Sequence, residues 1–302
     1  MTIKNKLKEI VVISGKGGTG KTSLTASFAM LAGKEAVIAD CDVDAADLHL
    51  LLEPDILYKD DFYSGLLAEI DQNICTLCGK CSQVCRFNAI EKANEKFKIL
   101  KLECEGCGYC AEICPVKAIE MVEQNVGEWY LSKIKSGSKM VHASMKVGAE
   151  NSGKLVAKVK NEAKRVAQDE NKSHIIVDGS PGVGCPVVSS LSGADYVILV
   201  TEPSVSGIHD LKRVYELVEK FNLNTGCIIN KQDLNREKTR QIKFLLNQKK
   251  IELIAELPYD EDFTRAMTAG YTIIEYDNNK LKKVLEKSWH KVLRIINQKG
   301  EE

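Results

Sequence analysis

No charge of either sign predominates in this sequence. Forty-two lysines and arginines stand against 42 aspartates and glutamates in 302 residues. The basic excess of a nucleic-acid-binding chain is missing, and so is an acidic tail, so no nucleic-acid partner is expected. No apolar run approaches the roughly 20 residues needed to cross a bilayer, and no membrane association is expected. The opening MTIKNKLKEIVVISGKGG places charges before a short apolar run, but that run ends in a glycine loop and not in a small-residue cleavage site. It reads as a first strand and not as a signal peptide, which gives a cytoplasmic expectation. The apolar fraction, 44%, is ordinary and allows a sizeable core in one large or two modest domains. Cysteine is not scarce. Eleven are too many for chance in a cytosolic chain, and their regular spacing points to metal and not to disulfides.

Ser14 to Thr22 reads SGKGGTGKT, between the apolar run Ile10–Ile13 and a helical stretch from Ser23 to about Gly33. A strand, a glycine-rich turn and a helix form the phosphate-cradling unit of nucleotide hydrolases. Gly15, Gly17, Gly18, Thr19 and Gly20 let backbone N–H groups close around an anion, and the helix start at Ser23 adds positive potential. Lys21 would reach the outer phosphates and Thr22 would ligate Mg²⁺. A second lysine, Lys16, follows the first glycine, where an ordinary phosphate loop needs none.

KGGTGKT resembles the deviant loop of the MinD, Mrp and nitrogenase-iron-protein superfamily of ATPases. The resemblance implies that Lys16 crosses a dimer interface to the partner's nucleotide, in a homodimer or in a pair with a paralogue. The bland alternative is a solvated surface charge. In that family the segment DxDxxxxxL, here from Asp40, is the first switch. By resemblance Asp42 lies near Mg²⁺ and the attacking water, with Asp40 and Asp47 in support. As plain residues, these acids could equally cap a helix or sit in a loop. His174 to Asp178 is an apolar strand ending in an acid, and that Asp normally supports Mg²⁺ through water. The DGSPG that follows resembles the second switch, with the Gly182 N–H sensing the γ-phosphate. Cys185 stands where the nitrogenase iron protein carries a cluster ligand, but no second cysteine offers itself, so a packed or redox-inert thiol is the preferred reading. Asn230, at the end of another apolar strand, would hydrogen-bond a purine edge, and Pro258 resembles the second adenine wall. Asn230-Lys231-Gln232-Asp233 also has the NKxD form of guanine-binding folds. The deviant loop outweighs it, so ATP is expected over GTP.

From about Tyr58 this pattern stops. Cys75, Cys78, Cys81 and Cys85 form one CxxCxxCxxxC run, and Cys104, Cys107, Cys110 and Cys114 form a second. Each cysteine of the second follows its counterpart by 29 residues (Cys75 to Cys104), as Ala118-Ile119-Glu120 follows Ala89-Ile90-Glu91. The duplication resembles the bacterial two-cluster ferredoxin. In that family the fourth cysteine of each run serves the other cluster. The resemblance therefore implies one [4Fe–4S] cluster on Cys75, Cys78, Cys81 and Cys114, and another on Cys85, Cys104, Cys107 and Cys110. Structural zinc is the rival for CxxC pairs.

The tail from Lys280 to Ile296 reads as a helix with Leu281, Val284, Leu285, Val292 and Ile296 on one face, expected to pack on the sheet. The whole is read as an α/β P-loop fold, a mostly parallel sheet with helices on both faces, over 1–57 and 137–302. A small α+β ferredoxin-like domain over 58–136, core 72–123, interrupts it. The expected function is ATP-driven control of electron transfer from two clusters to a redox partner protein, with Lys16, Lys21, Asp42 and Asp178 as the catalytic set. The alternatives are an Mrp-like iron–sulfur carrier and a MinD-like spatial organiser with redox-sensing clusters.

Overall fold

The structure is a computed structural model and describes residues 7–146, 148 and 151–298. Of the N-terminal charges discussed above, Lys4 and Lys6 lie outside the described residues. The chain divides into two compact units: the described residues of 1–60, 129–144 and 152–302, and those of 61–128 and 145–151.

The first unit is built on β1 (Lys8–Ser14), buried from Glu9 to Ser14 because a parallel strand flanks it on each side. These are β8 (His174–Asp178) and β9 (Tyr196–Thr201). Strands covered on both faces read as continuous apolar runs without alternation, as IVVI, IIV and YVILV do here. Beyond β8 lies β2 (Ala36–Asp40), parallel to it and to β7 (Lys139–Met145). Beyond β9 lie β10 (Asn224–Ile229) and β11 (Glu252–Glu256), also parallel. With β6 (Ile119–Lys133) and β3 (Asp55–Ile70), the strand order is β11-β10-β9-β1-β8-β2-β7-β6-β3.

Alternate residues of these strands, among them Ile10, Val12, Ile38, Ile176 and Ile198, share one core with α1 (Lys21–Ala32) and α10 (Asn279–Gln298). Strand side chains alternate between faces, so the equally buried Val11, Ile13, Val37 and Val177 point to the other side. There α5 (Ser152–Asp169) brings Leu155, Val156, Val159 and Ala163 to β2 and β8. The tail helix packs as expected. Leu281, Leu285, Trp289, Val292 and Ile296 are buried, and Trp289 stacks on Phe28 at 5.4 Å. No described helix is long and apolar enough to cross a membrane.

The chain passes from one side of β1 to the other between β8 and β9, so the loops leaving β1, β2 and β8 meet at the strands' C-terminal ends. Open α/β sheets bind ligands at such a switch point.

The second unit shows the 29-residue repeat in its backbone. The short helices α3 (Lys80–Val84) and α4 (Tyr109–Glu112) are each preceded by a left-handed glycine, Gly79 and Gly108. Leu77 and Gly106 match at φ 60° and 64°, and Asn88 and Lys117 match at 54° and 51°. Asp71 N donates to Ala118 O and Leu100 N to Ala89 O, both at 2.8 Å, which is one hydrogen bond repeated with the halves exchanged. The hairpin β4 (Ile90–Ala93) and β5 (Lys96–Ile99) is antiparallel. The buried core is thin: Ala68, Cys81, Ile90, Phe97 and Ile119.

Candidate functional site

The glycine loop turns between β1 and α1 with Gly18 and Gly20 at φ 77° and 91°. A side chain on Gly20 would run into the Asn230 amide, and one on Gly15 into the Asp210 backbone. The loop is also held from β10. Asn230 Nδ2 donates to Thr19 O at 2.9 Å and Lys231 Nζ to Gly18 O at 3.0 Å. Asn230 Oδ1 accepts from its neighbour's N–H, so this amide clamps the loop as well as lining the cavity beside it.

Behind the loop, Lys21 Nζ lies 2.9 Å from Asp178 Oδ1 and 3.2 Å from Asp42 Oδ2. Asp178 is 1% exposed and Lys21 6%, so this ion pair is dry. Burial alone would push the Lys21 ammonium down, but Asp178 and Asp42 reverse it, and its pKa is raised. Burial pushes Asp42 up, against Lys21. Burial and then Asp178 push Asp40 well above the usual carboxylate range. One Asp40 oxygen accepts from Asp42 N at 3.2 Å and the other has no partner among the described residues. Thr22 Oγ1 donates to Asp178 Oδ2 at 2.9 Å. Thr25, one helical turn beyond Lys21, donates to Asp178 Oδ1 at 2.8 Å. Sequence reasoning missed Thr25; a hydroxyl four residues past the loop lysine is the signal that could have found it.

The segments that follow β2 and β8 are joined. Cys41 N donates to Asp178 O at 2.8 Å and Ser180 Oγ to Cys41 O at 2.7 Å. Gly182, at φ 93°, gives its N–H to Ser14 O at 2.9 Å, and Pro181, not Gly182, lines the cavity. Lys16 is held within its own chain, 2.7 Å from Glu202 Oε1 and 2.8 Å from Ser206 Oγ. Lys231 holds the other oxygen of Glu202 at 3.0 Å. Burial would raise the Glu202 pKa, but the two lysines lower it. Sequence reasoning gave Glu202 no role, although an acid at the end of a parallel strand is where one would look.

The cavity has a volume of about 400 Å³, within the range of small-molecule sites. Its lining includes Gly17 to Ser23, Asp42 and Asp47 together with Asn230, Pro258, Tyr259, Phe263 and Met267. The loop and its acids suit phosphates, and the apolar side chains suit a base. Asp233 Oδ1 accepts the Tyr259 N–H at 2.6 Å, and Asp233 does not line the cavity.

The eight cysteines of the two runs fall into two small cavities. One is lined by Cys75, Cys78, Cys81 and Cys114, the other by Cys85, Cys104, Cys107 and Cys110. Each thus takes three cysteines from one run and the last from the other. Ala89 N donates to Cys85 Sγ at 3.3 Å and Ala118 N to Cys114 Sγ at 3.2 Å. Burial raises the pKa of the Cys81 and Cys110 thiols, and their neighbouring thiols act in the same direction. Among the described residues, no three His, Cys, Asp or Glu side chains converge as the ligands of a single metal ion would. Cys185 is exposed at the start of α6 (Cys185–Leu191), so of its two readings, packed or redox-inert, the packed one does not hold; Cys41 and Cys227 are buried.

Residues 10–273 match the family described as the CobQ/CobB/MinD/ParA nucleotide binding domain. An uncharacterized protein of Methanocaldococcus jannaschii is 33% identical over 298 residues, 96% of this chain and 98% of that one. The septum site-determining protein MinD of Thermotoga maritima is 25% identical over 291 residues, covering 92% of this chain and 84% of its own. Among solved structures, septum site-determining MinD of Pyrococcus horikoshii, complexed with Mg-ADP, matches with a TM-score of 0.59 at 19% identity, over 95% of this chain and 96% of that chain.

Proposed function

The chain belongs to the CobQ/CobB/MinD/ParA nucleotide-binding family and has the fold of a MinD/ParA-type P-loop ATPase, and from that premise we propose that it hydrolyses ATP to control electron transfer from two [4Fe–4S] clusters to a redox partner protein. The observation that carries this reading is the presence in one chain of the Lys21–Asp42–Asp178 centre and of two cavities with four cysteines each.

In the ATPase step, Lys21 and the loop amides neutralise phosphate charge, and Asp42 orients the attacking water. The adjoining oxygens of Thr22 and Asp178 suit Mg²⁺, a hard cation that prefers oxygen ligands. Bound there, Mg²⁺ would supply further charge neutralisation. Lys16 turns from Glu202 toward the nucleotide of a second subunit, a copy of this chain or a paralogue. Asp233 is engaged by the Tyr259 backbone, which favours adenine over guanine.

The cysteine cavities fit iron–sulfur clusters on three counts. Thiols and amide-to-sulfur hydrogen bonds are the donor set such clusters use. Each cavity takes three cysteines from one run and the last from the other, which is the ligand exchange of two-cluster ferredoxins. The thin core of the second unit is what a small domain stapled by metal centres needs. When bound, the clusters would supply one-electron storage. The cysteines would hold them, and the segment carrying them lies in sequence between the two switches, so movement of a switch on hydrolysis would expose or reorient it.

The test is anaerobic purification, an iron count, and an assay of partner reduction with ATP and with a non-hydrolysable analogue. About eight irons per chain and reduction that needs hydrolysis support the proposal. Movement of clusters to an apo acceptor would instead indicate a carrier, and ATP-dependent lipid binding a spatial organiser.

A further inference from the structure

We propose that Lys80 and Glu105 make the two four-cysteine cavities unequal, so that the first electron taken up resides at Cys75, Cys78, Cys81 and Cys114. The inference rests on the two-cluster reading above and adds to it a direction of electron flow.

The 29-residue repeat pairs the cavity walls position by position. Ile70 of the first cavity corresponds to Ile99 of the second, Ala118 to Ala89, and Ile119 to Ile90. These pairs are identical, so they cannot distinguish the two centres. Some pairs differ only in apolar bulk, as Val116 and Phe97 of the first wall do from Phe87 and Ala68 of the second, and two positions differ in charge. Thr76 of the first cavity corresponds to Glu105 of the second, and Lys80 to Tyr109. The first wall therefore carries one cation and no acid, and the second one acid and no cation. Among the charges just outside, exposed Arg86 follows Cys85 of the second set and exposed Lys117 precedes Ala118 of the first, and these two balance; exposed Glu103, whose counterpart is Ile74, precedes Cys104 and adds to the acid side of the second; none of the three lines a cavity.

Reduction adds one negative charge to a cluster. Lys80 favours that charge at the first centre, and Glu105 opposes it at the second. Both side chains are exposed, so water and salt screen them, and each changes the reduced-to-oxidised ratio at its own centre by about fivefold. The two effects have opposite sign and widen one gap. With clusters bound, an electron from a low-potential one-electron donor placed on the second centre would pass to the first. The second would be reoxidised as the first is reduced, and no proton or bond would move with it.

The experiment is a stepwise dithionite reduction of the full-length, anaerobically purified chain, followed by EPR of the half-reduced protein. Two separated waves are expected. Lys80→Gln should lower the reduced-to-oxidised ratio of the earlier wave alone by about fivefold, and Lys80→Arg should leave it in place. Glu105→Gln should raise the ratio of the later wave alone by a similar factor. Waves that move together, move the wrong way or do not move, with about eight irons present, would overturn this inference and leave the two-cluster reading standing. A chain purified without iron would overturn both.

Discussion

Lys21 Nζ lies 2.9 Å from Asp178 Oδ1, and neither side chain reaches solvent to any extent. A buried charge that loses its partner costs far more than a surface pair contributes. Asp178→Asn keeps the shape but leaves Lys21 with Asp42 alone, and turns the acceptor for Thr22 and Thr25 into an amide. We expect unfolding free energy to fall by about 3 kcal/mol, the lower part of the range for broken buried pairs. ATP hydrolysis should fall by about a hundredfold or more. Urea melts and a phosphate-release assay check the two effects separately. An unchanged melt would mean that the pair is not dry in solution.

The protein should lose stability as pH falls below neutrality, partly through His142. Burial, with a smaller contribution from His49, holds this imidazole down to about 4 from its ordinary 6.5. In its neutral form it bonds Ser132 Oγ at 2.8 Å and stacks on Tyr130 at 5.0 Å. Between those two pKa values the unfolded chain binds the proton and the folded chain does not, so stability falls with falling pH. The loss begins near the unfolded value, is complete near the folded one, and totals about 3 kcal/mol. His142→Gln, which keeps a partner for Ser132, should flatten this slope in urea melts across that window. The same slope in both proteins would rule His142 out.

The phosphate-loop part of the site was legible because its chemistry is local: Gly15 to Thr22 is contiguous, and of the acids Lys21 meets, Asp178 ends an apolar strand and Asp42 follows one by two residues. What escaped notice depends on partners far away in sequence. Thr25 matters only because α1 lies along β8, and Glu202 only because Lys16 and Lys231 converge on it. The parallel strands were readable as apolar runs because both faces are covered. The long strand β3 was not, since Ile56, Leu57 and Tyr58 are exposed and no buried face imposes a period on them. The 29-residue repeat carried through to matching φ angles and hydrogen bonds, because a duplicated sequence must solve the same turns twice.

Asp233 should prove structural. If its carboxylate read a guanine, removing it would weaken GTP and spare ATP. Because it accepts the Tyr259 N–H at 2.6 Å, Asp233→Ala should instead loosen the Pro258–Tyr259 wall. ATP affinity is then expected to fall by about tenfold, the worth of one charge-assisted hydrogen bond, with GTP weak before and after. Competition against a fluorescent adenine nucleotide distinguishes the two. Selective loss of GTP binding would contradict this assignment.

Cys85 and Cys114 supply the last test. Each lies at the end of one cysteine run, yet lines the cavity formed by the first three cysteines of the other. If the cavities hold clusters, a substitution at the end of one run should damage the opposite centre. Cys114→Ser is expected to disturb the centre beside Lys80, and Cys85→Ser the one beside Glu105. In each single variant the iron content should drop from about eight toward about four, with one set of EPR features retained. The charge variants then identify which set remains. After Cys114→Ser the surviving signal should respond to Glu105→Gln and ignore Lys80→Gln, and after Cys85→Ser the reverse should hold. If each run instead held its own cluster, the responses would be exchanged. The arrangement can therefore be read from which charge the surviving centre feels, without a structure of either variant.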